Sequence, residues 1–273
     1  MGLPMASRLV AAGYDVRGYD SAPEARERFG GSVETLADAA ARTVVLMLPD
    51  SAVVRQVTLA DGLFDALDPG GLVIDMSSSQ PTETQALASE AESRGVQFVD
   101  APVSGGVRGA EAGTLTIMAG GSEEQFGTCR PLLEAIGGNV LHVGPVGAGH
   151  ALKALNNLLS GTTLLASAEA MLVGRRFGLE PQVMVDAINV STGRSYSTEY
   201  KLPEFVLTGM YDAGFALRLM AKDLRIAAGL AEATGTPLEL GRLSTAIWER
   251  AAEELPEDAD HTEIARWLEK ALA

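Results

Sequence analysis

Leu72-Val-Ile-Asp-Met76, then Pro81-Thr-Glu-Thr-Gln-Ala-Leu-Ala-Ser-Glu-Ala-Glu-Ser93, then Gln97-Phe-Val99 present, in order, a short apolar run, an amphipathic segment and a second apolar run. Strand, crossover helix and strand make the unit from which parallel sheets are built. Further apolar runs at 43–48 and 14–19 on one side, and at 115–119 and 140–143 on the other, repeat the alternation. The first half therefore reads as an α/β domain on a parallel sheet. Ser122-Glu-Glu-Gln125 has the capping-box spacing that starts a helix, and Ser21-Ala-Pro-Glu24 has it too, with its proline inside the first turn.

After Gly144-Pro-Val-Gly147 the strand pattern stops. Over 148–176, Leu152, Leu155, Leu159, Leu165, Met171 and Leu172 fit a long, largely buried helix, with Gly161, Ala166 and Ala168 permitting close helix contacts. Helical patterns continue over 181–189, 217–234, 237–254 and 262–272, and Trp248 and Trp267 read as core or subunit-contact residues. The expected organisation is an α/β domain over 1–147 and an all-α domain over 148–273 that begins with the long helix.

The start of the chain narrows the α/β class. Met1-Gly2-Leu-Pro-Met5-Ala-Ser-Arg-Leu-Val-Ala-Ala-Gly13 has the form of the first helix of a dinucleotide-binding domain, with Gly2 as the third glycine of G-x-G-x-x-G and Gly13 closing the helix. Asp20 stands near the spacing of an acid that accepts hydrogen bonds from an adenosine ribose, although it could simply precede the helix opened by Ser21. The first strand and first two glycines of the pattern are absent. The expectation is a Rossmann-like domain apparently lacking its first strand, with Met1 an internal methionine of G-x-G-x-M-G and translation starting upstream.

Lys and Arg number 21 against 36 Asp and Glu, a net charge of -15 that repels nucleic-acid phosphates and anionic lipid alike. No nucleic-acid or membrane partner is expected. The weakly charged run 154–174 contains Asn156, Asn157 and Glu169, the last read as a satisfied structural carboxylate, and suits a helix buried in protein. The single cysteine, Cys129, excludes an intramolecular disulfide and favours a reducing, cytoplasmic setting. With three scattered histidines it leaves no metal-ligand spacing. An anionic ligand must therefore be held by local cations and amides working against the global field.

Two stretches supply such groups. Asp100-Ala-Pro-Val-Ser104-Gly105-Gly106 offers a hydroxyl and two amides unshielded by side chains, a small nest for a carboxylate. Lys153-Ala-Leu-Asn156-Asn157 puts an ammonium and a carboxamide four positions apart, on one helix face, where both can converge on one oxygen. Hydride leaves a carbinol carbon only as the O–H proton departs, and a lysine can take that proton if desolvation or a nearby cation such as Lys222 lowers its pKa. Plainer readings stand beside these: Lys153 as a snorkelling surface lysine, Ser104-Gly-Gly as a turn, Lys222-Asp223 as a solvated pair.

With those residues in place, the chain resembles the β-hydroxyacid dehydrogenases over nearly its whole length. Asp100-Ala-Pro-Val-Ser-Gly-Gly-Val-Arg-Gly-Ala-Glu-Ala-Gly-Thr114-Leu is similar to that group's substrate-loop signature. The resemblance implies that Ser104, Gly105 and Gly106 bind the substrate carboxylate, that Lys153 is catalytic with Asn157 and Ser104 assisting, and that Phe215 walls the pocket. It also implies cofactor contacts from Leu48, Pro49, Ser78 and Lys222, beside Gly2 and Asp20. Ser78-Ser79 stands where the family more often has Thr-Ile. Asp20 favours NAD, since a carboxylate repels a 2′-phosphate, without excluding NADP. The implied activity is NAD(P)-dependent interconversion of a short 3-hydroxy acid and its semialdehyde, and the long helix rich in small and apolar residues leads us to expect a homodimer or homotetramer. A phosphogluconate-type dehydrogenase would favour a His-Asn pair after the lysine and a longer C-terminal domain. An idle NAD-binding scaffold is the reading if the chain truly starts at Met1.

Overall fold

Among the described residues, 1–271 of the computed structural model, six strands form one sheet in the first of two units into which the chain divides, Met1–Lys153 and Ala154–Ala273. They are β1 Thr43–Leu46, β2 Leu72–Asp75, β3 Gln97–Asp100, β4 Val103–Ser104, β5 Leu115–Gly120 and β6 Gly137–Gly144, in the order β1-β2-β3-β5-β4, with β6 also on β5. Every residue of β2 is buried, as a strand covered on both faces requires. β1, β2 and β3 run parallel with Leu46, Asp75 and Asp100 level at their carboxyl ends.

The sheet is mixed, where the sequence pattern implied all-parallel pairing. β5 runs antiparallel to β3 and to β4, because the chain turns back at Gly105 and Gly106, whose φ of 127° and 62° only glycine adopts easily. The run 14–19 is not a strand. A strand needs a ladder, and this stretch contributes an isolated bridge at Gly18 with Ser32, while Tyr14 and Tyr19 are exposed.

The helices of this unit are α1 Gly2–Ala11, α2 Pro23–Glu27, α3 Leu36–Ala39, α4 Ser51–Arg55 (continued by a π-turn, Gln56–Ala60), α5 Leu63–Ala66, α6 Pro81–Ser93, α7 Gly106–Ala112 and α8 Glu123–Ile136. The capping box at Ser122 and Gln125 forms with both hydrogen bonds. None forms at Ser21: the cap residue of α2 is Ala22, which has no side-chain acceptor, and its amide donates to Asp20 Oδ1 at 2.9 Å in a local Asx turn.

α9, Ala148–Phe177, leaves the first unit and continues into the second. There follow α10 Pro181–Asn189, a π-helix Ser197–Val206, α11 Leu217–Ala233, α12 Glu239–Glu254, a 3₁₀ turn His261–Glu263 and α13 Ile264–Ala271. Leu272, to which the last helical pattern extends, lies outside the described residues. The core of this unit gathers Leu164, Leu165 and Ala168 with Met220, Leu224, Trp248 and Trp267. Leu152, Leu155 and Leu159 do not join it; Leu159 is 67% exposed. The buried stripe of α9 runs instead through Lys153, Ala154, Asn157, Gly161, Leu164, Leu165, Ala168 and Met171, so that Leu165 and Met171 are buried as the pattern implied, and a Cβ on Gly161 would stand 3.0 Å from Leu224. Glu169, read as a satisfied structural carboxylate, is exposed on α9.

Candidate active site

The centre of the first unit is Asp100, at the end of β3 and fully buried. Its Oδ1 accepts from the Gly147 amide at 2.7 Å and its Oδ2 from the His150 amide at 2.8 Å, so a carboxylate from the sheet caps the first turn of α9. Two glycines make room: a Cβ on Gly120 would lie 2.5 Å from Asp100 Oδ1, and one on Gly149 would lie 2.8 Å from Oδ2 and strike Met118 O. Burial raises the Asp100 pKa, against the charge of His150 and the donated amides.

His150 is buried beside it. Its Nδ1 meets Thr84 Oγ1 at 2.8 Å and its Nε2 meets the Ser77 carbonyl at 3.1 Å, which accepts only and so assigns the proton to Nε2. Asp75 Oδ2 and Asp100 Oδ2 lie 3.9 and 3.8 Å from the ring. One helical turn beyond the capped amides comes Lys153, 8% exposed. The sequence motif that begins at Asp100 and the one that begins at Lys153 are thus physically joined: the first holds the helix end that carries the second.

Ser104 pairs with Thr116 across the antiparallel edge, and the positive-φ pair Gly105-Gly106 follows it directly. Leu48 and Ser78 follow the carboxyl ends of β1 and β2, whose loops are joined where the Leu48 amide donates to Ser77 Oγ at 2.9 Å and the Gln80 amide to Ser51 Oγ at 2.7 Å. Pro49 is exposed within this stitched pair of loops, at the strand ends where open α/β sheets bind ligands. Gly2 begins α1, whose amino end has no side-chain cap and no acid in its first turn, so it suits a pyrophosphate. Asp20 is exposed. The loops, the uncapped helix end and the acid are of the kind a dinucleotide needs.

In the second unit Asn157, 5% exposed, donates from Nδ2 to Asp223 Oδ2 at 2.6 Å and accepts from Asn156 Nδ2 at 3.1 Å. Lys222 Nζ stands 3.7 Å from Asp223 Oδ1, with Asp223 buried, so the pair is not a solvated one. Phe215 is fixed by its neighbours: its amide donates to Asp260, its carbonyl accepts from the His261 amide at 2.8 Å, and its ring meets His261 edge-on at 5.6 Å.

Sequence reasoning missed the capping role of Asp100, the partners of His150 and the function of Asp223. Asp223 had a signal, since it lies among the apolar positions Met220, Ala221 and Leu224 on α11. His150 had none. Among the described residues no group of three or more His, Cys, Asp or Glu side chains is placed to hold a metal, and no helix is long and apolar enough to cross a membrane.

Comparison with known proteins agrees with this layout. Residues 1–144 match the family model for the NAD binding domain of 6-phosphogluconate dehydrogenase, and residues 147–268 match that for NAD-binding of NADP-dependent 3-hydroxyisobutyrate dehydrogenase. The 2-(hydroxymethyl)glutarate dehydrogenase of Eubacterium barkeri is 39% identical over 256 residues, covering 91% of this chain and 85% of its own. The mitochondrial 3-hydroxyisobutyrate dehydrogenase of Mus musculus is 36% identical over 281 residues, covering 98% and 84%. A solved structure of Mycobacterium tuberculosis 3-hydroxyisobutyrate dehydrogenase with L-serine is similar with a TM-score of 0.92 and 34% identity, covering 98% of this chain and 95% of that one.

Proposed function

The chain belongs to the β-hydroxyacid dehydrogenase family, an NAD(P)-dependent group acting on CH–OH, and from that membership we propose how its own residues divide the work on a short 3-hydroxy acid. The nicotinamide cofactor, when bound, accepts the hydride. Lys153 takes the alcohol proton as that hydride departs, and in the reverse direction returns it to the developing alkoxide. Asn157, its amide oriented by Asp223, holds the same oxygen. Ser104 with the Gly105 and Gly106 amides holds the substrate carboxylate, and Phe215 walls the pocket. Gly2, Asp20, Leu48, Pro49, Ser78 and Lys222 hold the cofactor, with Asp20 favouring NAD.

The observation that carries this reading is a lysine kept 8% exposed on a helix whose first turn a buried carboxylate ties down. Buried lysines are rare and cluster where chemistry needs a shifted pKa. Lys153→Met, assayed by NAD reduction with a panel of 3-hydroxy acids, should lose about 10²–10⁴ in kcat with an unchanged circular-dichroism spectrum. Unchanged turnover refutes the assignment.

The functional boundary lies near Gly147, supported by the two family matches that end and begin there. Self-association as a dimer or tetramer is supported by Leu159, Leu240 and Leu243, each more than 60% exposed; a monomeric mass in solution refutes it. A cytoplasmic setting is supported by the single cysteine, and recovery of the protein from an oxidising compartment refutes it.

A further inference from the structure

The second unit contains another buried cation that the proposed mechanism leaves unused. Lys201, on the π-helix Ser197–Val206, is 5% exposed and donates from Nζ to Ser160 Oγ at 2.8 Å, with the Tyr196 ring centroid 6.0 Å away. Ser160 follows Lys153 by seven positions and Asn157 by three on α9, so the three share a face, and at about 1.5 Å of rise per residue Ser160 lies about 4.5 Å beyond Asn157 along the helix. The Lys201 ammonium is therefore anchored about one turn past the amide that addresses the alcohol oxygen. His261 does not add to this charge: burial, and then the Lys201 charge itself, push its pKa down despite the hydrogen bond to Asp260, so it stays neutral at pH 7. In a chain of net charge -15, a buried ammonium in line with the reacting face is a local attractor for anions.

We propose that Lys201 is a specificity-determining residue that holds a second anionic group, so that the substrate class of this site is a short hydroxy dicarboxylate. A molecule whose alcohol oxygen sits at Lys153 and Asn157 presents a carboxylate two to four carbons farther along to Lys201, with Ser160 fixing the ammonium. The inference rests on the proposed roles of Lys153 and Asn157.

The test is a ratio. The 2-(hydroxymethyl) dicarboxylates from succinate to adipate are each compared, by NAD-linked kcat/KM, with the isostere whose distal carboxylate is replaced by methyl. The wild-type chain should prefer at least one dicarboxylate by tenfold or more. Lys201→Met should reduce that preference at least tenfold, chiefly through KM, and Lys201→Arg should retain part of it. Ser160→Asp, which sets a carboxylate against the ammonium, should abolish the preference independently, so that a folding defect in one variant leaves the other decisive. Turnover of both members of every pair with no preference, or with a preference that neither Lys201→Met nor Ser160→Asp changes, overturns the inference alone. Failure of the wild-type chain to oxidise any compound of the series overturns the dehydrogenase roles beneath it as well.

Discussion

Asp100→Asn is the most incisive perturbation of the first unit, because it preserves shape and changes only what the group can accept. In the native chain each carboxylate oxygen takes one amide of the α9 first turn, at 2.7 and 2.8 Å. Asparagine offers one acceptor, and its amino group must face the other amide. A buried donor left unmatched costs about 1–3 kcal/mol, and loss of negative charge at the helix end about 0.3–2 kcal/mol more. Relief from burying a charge opposes both, as the raised pKa of Asp100 indicates. The pocket cannot open to soften the clash, because Gly120 and Gly149 already lie against the side chain. A net loss of about 2 kcal/mol corresponds to a fall of about 4–8 °C in melting temperature for a unit of this size. Since the disturbed turn immediately precedes Lys153, a displacement of about 1 Å there would lower kcat by up to about 100-fold. Differential scanning calorimetry with steady-state kinetics measures both. A variant that melts with the wild type and turns over normally would show that the Asp100 cap does not position the lysine.

Acidification should destabilise the second unit in two stages. His261 is held below its ordinary pKa chiefly by burial. Asp260 is held well below the carboxylate range: burial raises it, but the hydrogen bonds from His261 and Thr262 outweigh that. Each group binds fewer protons folded than unfolded, so stability falls with pH, first below about 6.5 for the histidine and then below about 4 for the aspartate. Urea titrations from pH 8 to pH 3 should show both declines, and Asp260→Asn should remove the lower one; a flat profile contradicts the assignment. Burial pushes the Cys129 thiol up to about 11, so iodoacetamide at pH 8 should leave the folded chain unmodified and alkylate it only in denaturant, read by intact mass; rapid labelling of the native protein would contradict its placement.

Much of this molecule was legible in its sequence because the signals were local. The run 72–76 gave a strand buried on both faces, and α6, α8 and α10 start where their Pro81, Ser122 and Pro181 say they should. Lys153 and Asn157 fell on one helix face by periodicity alone, and both are buried. What stayed hidden depends on distant partners. The antiparallel reversal at Gly105-Gly106 is set by φ values that two adjacent glycines permit but do not dictate. The Asp100 cap joins residues 47 and 50 positions apart, and His150 meets Thr84 across 66. Leu152, Leu155 and Leu159 misled because hydrophobicity marks a face without saying whether this chain covers it, whereas Leu165 and Met171 farther along α9 are buried as their pattern implied.

The π-winding of Ser197–Val206 has an evolutionary corollary. Its amides bond five residues back rather than four, so the stretch accommodates one residue more than an α-helix with the same hydrogen-bonded span. Deleting a single codon there would let the segment rewind as an ordinary helix, turning Lys201 to a new azimuth and away from Ser160. On the role proposed for Lys201, substrate preference in this scaffold would shift with such a one-residue deletion as well as with a point substitution.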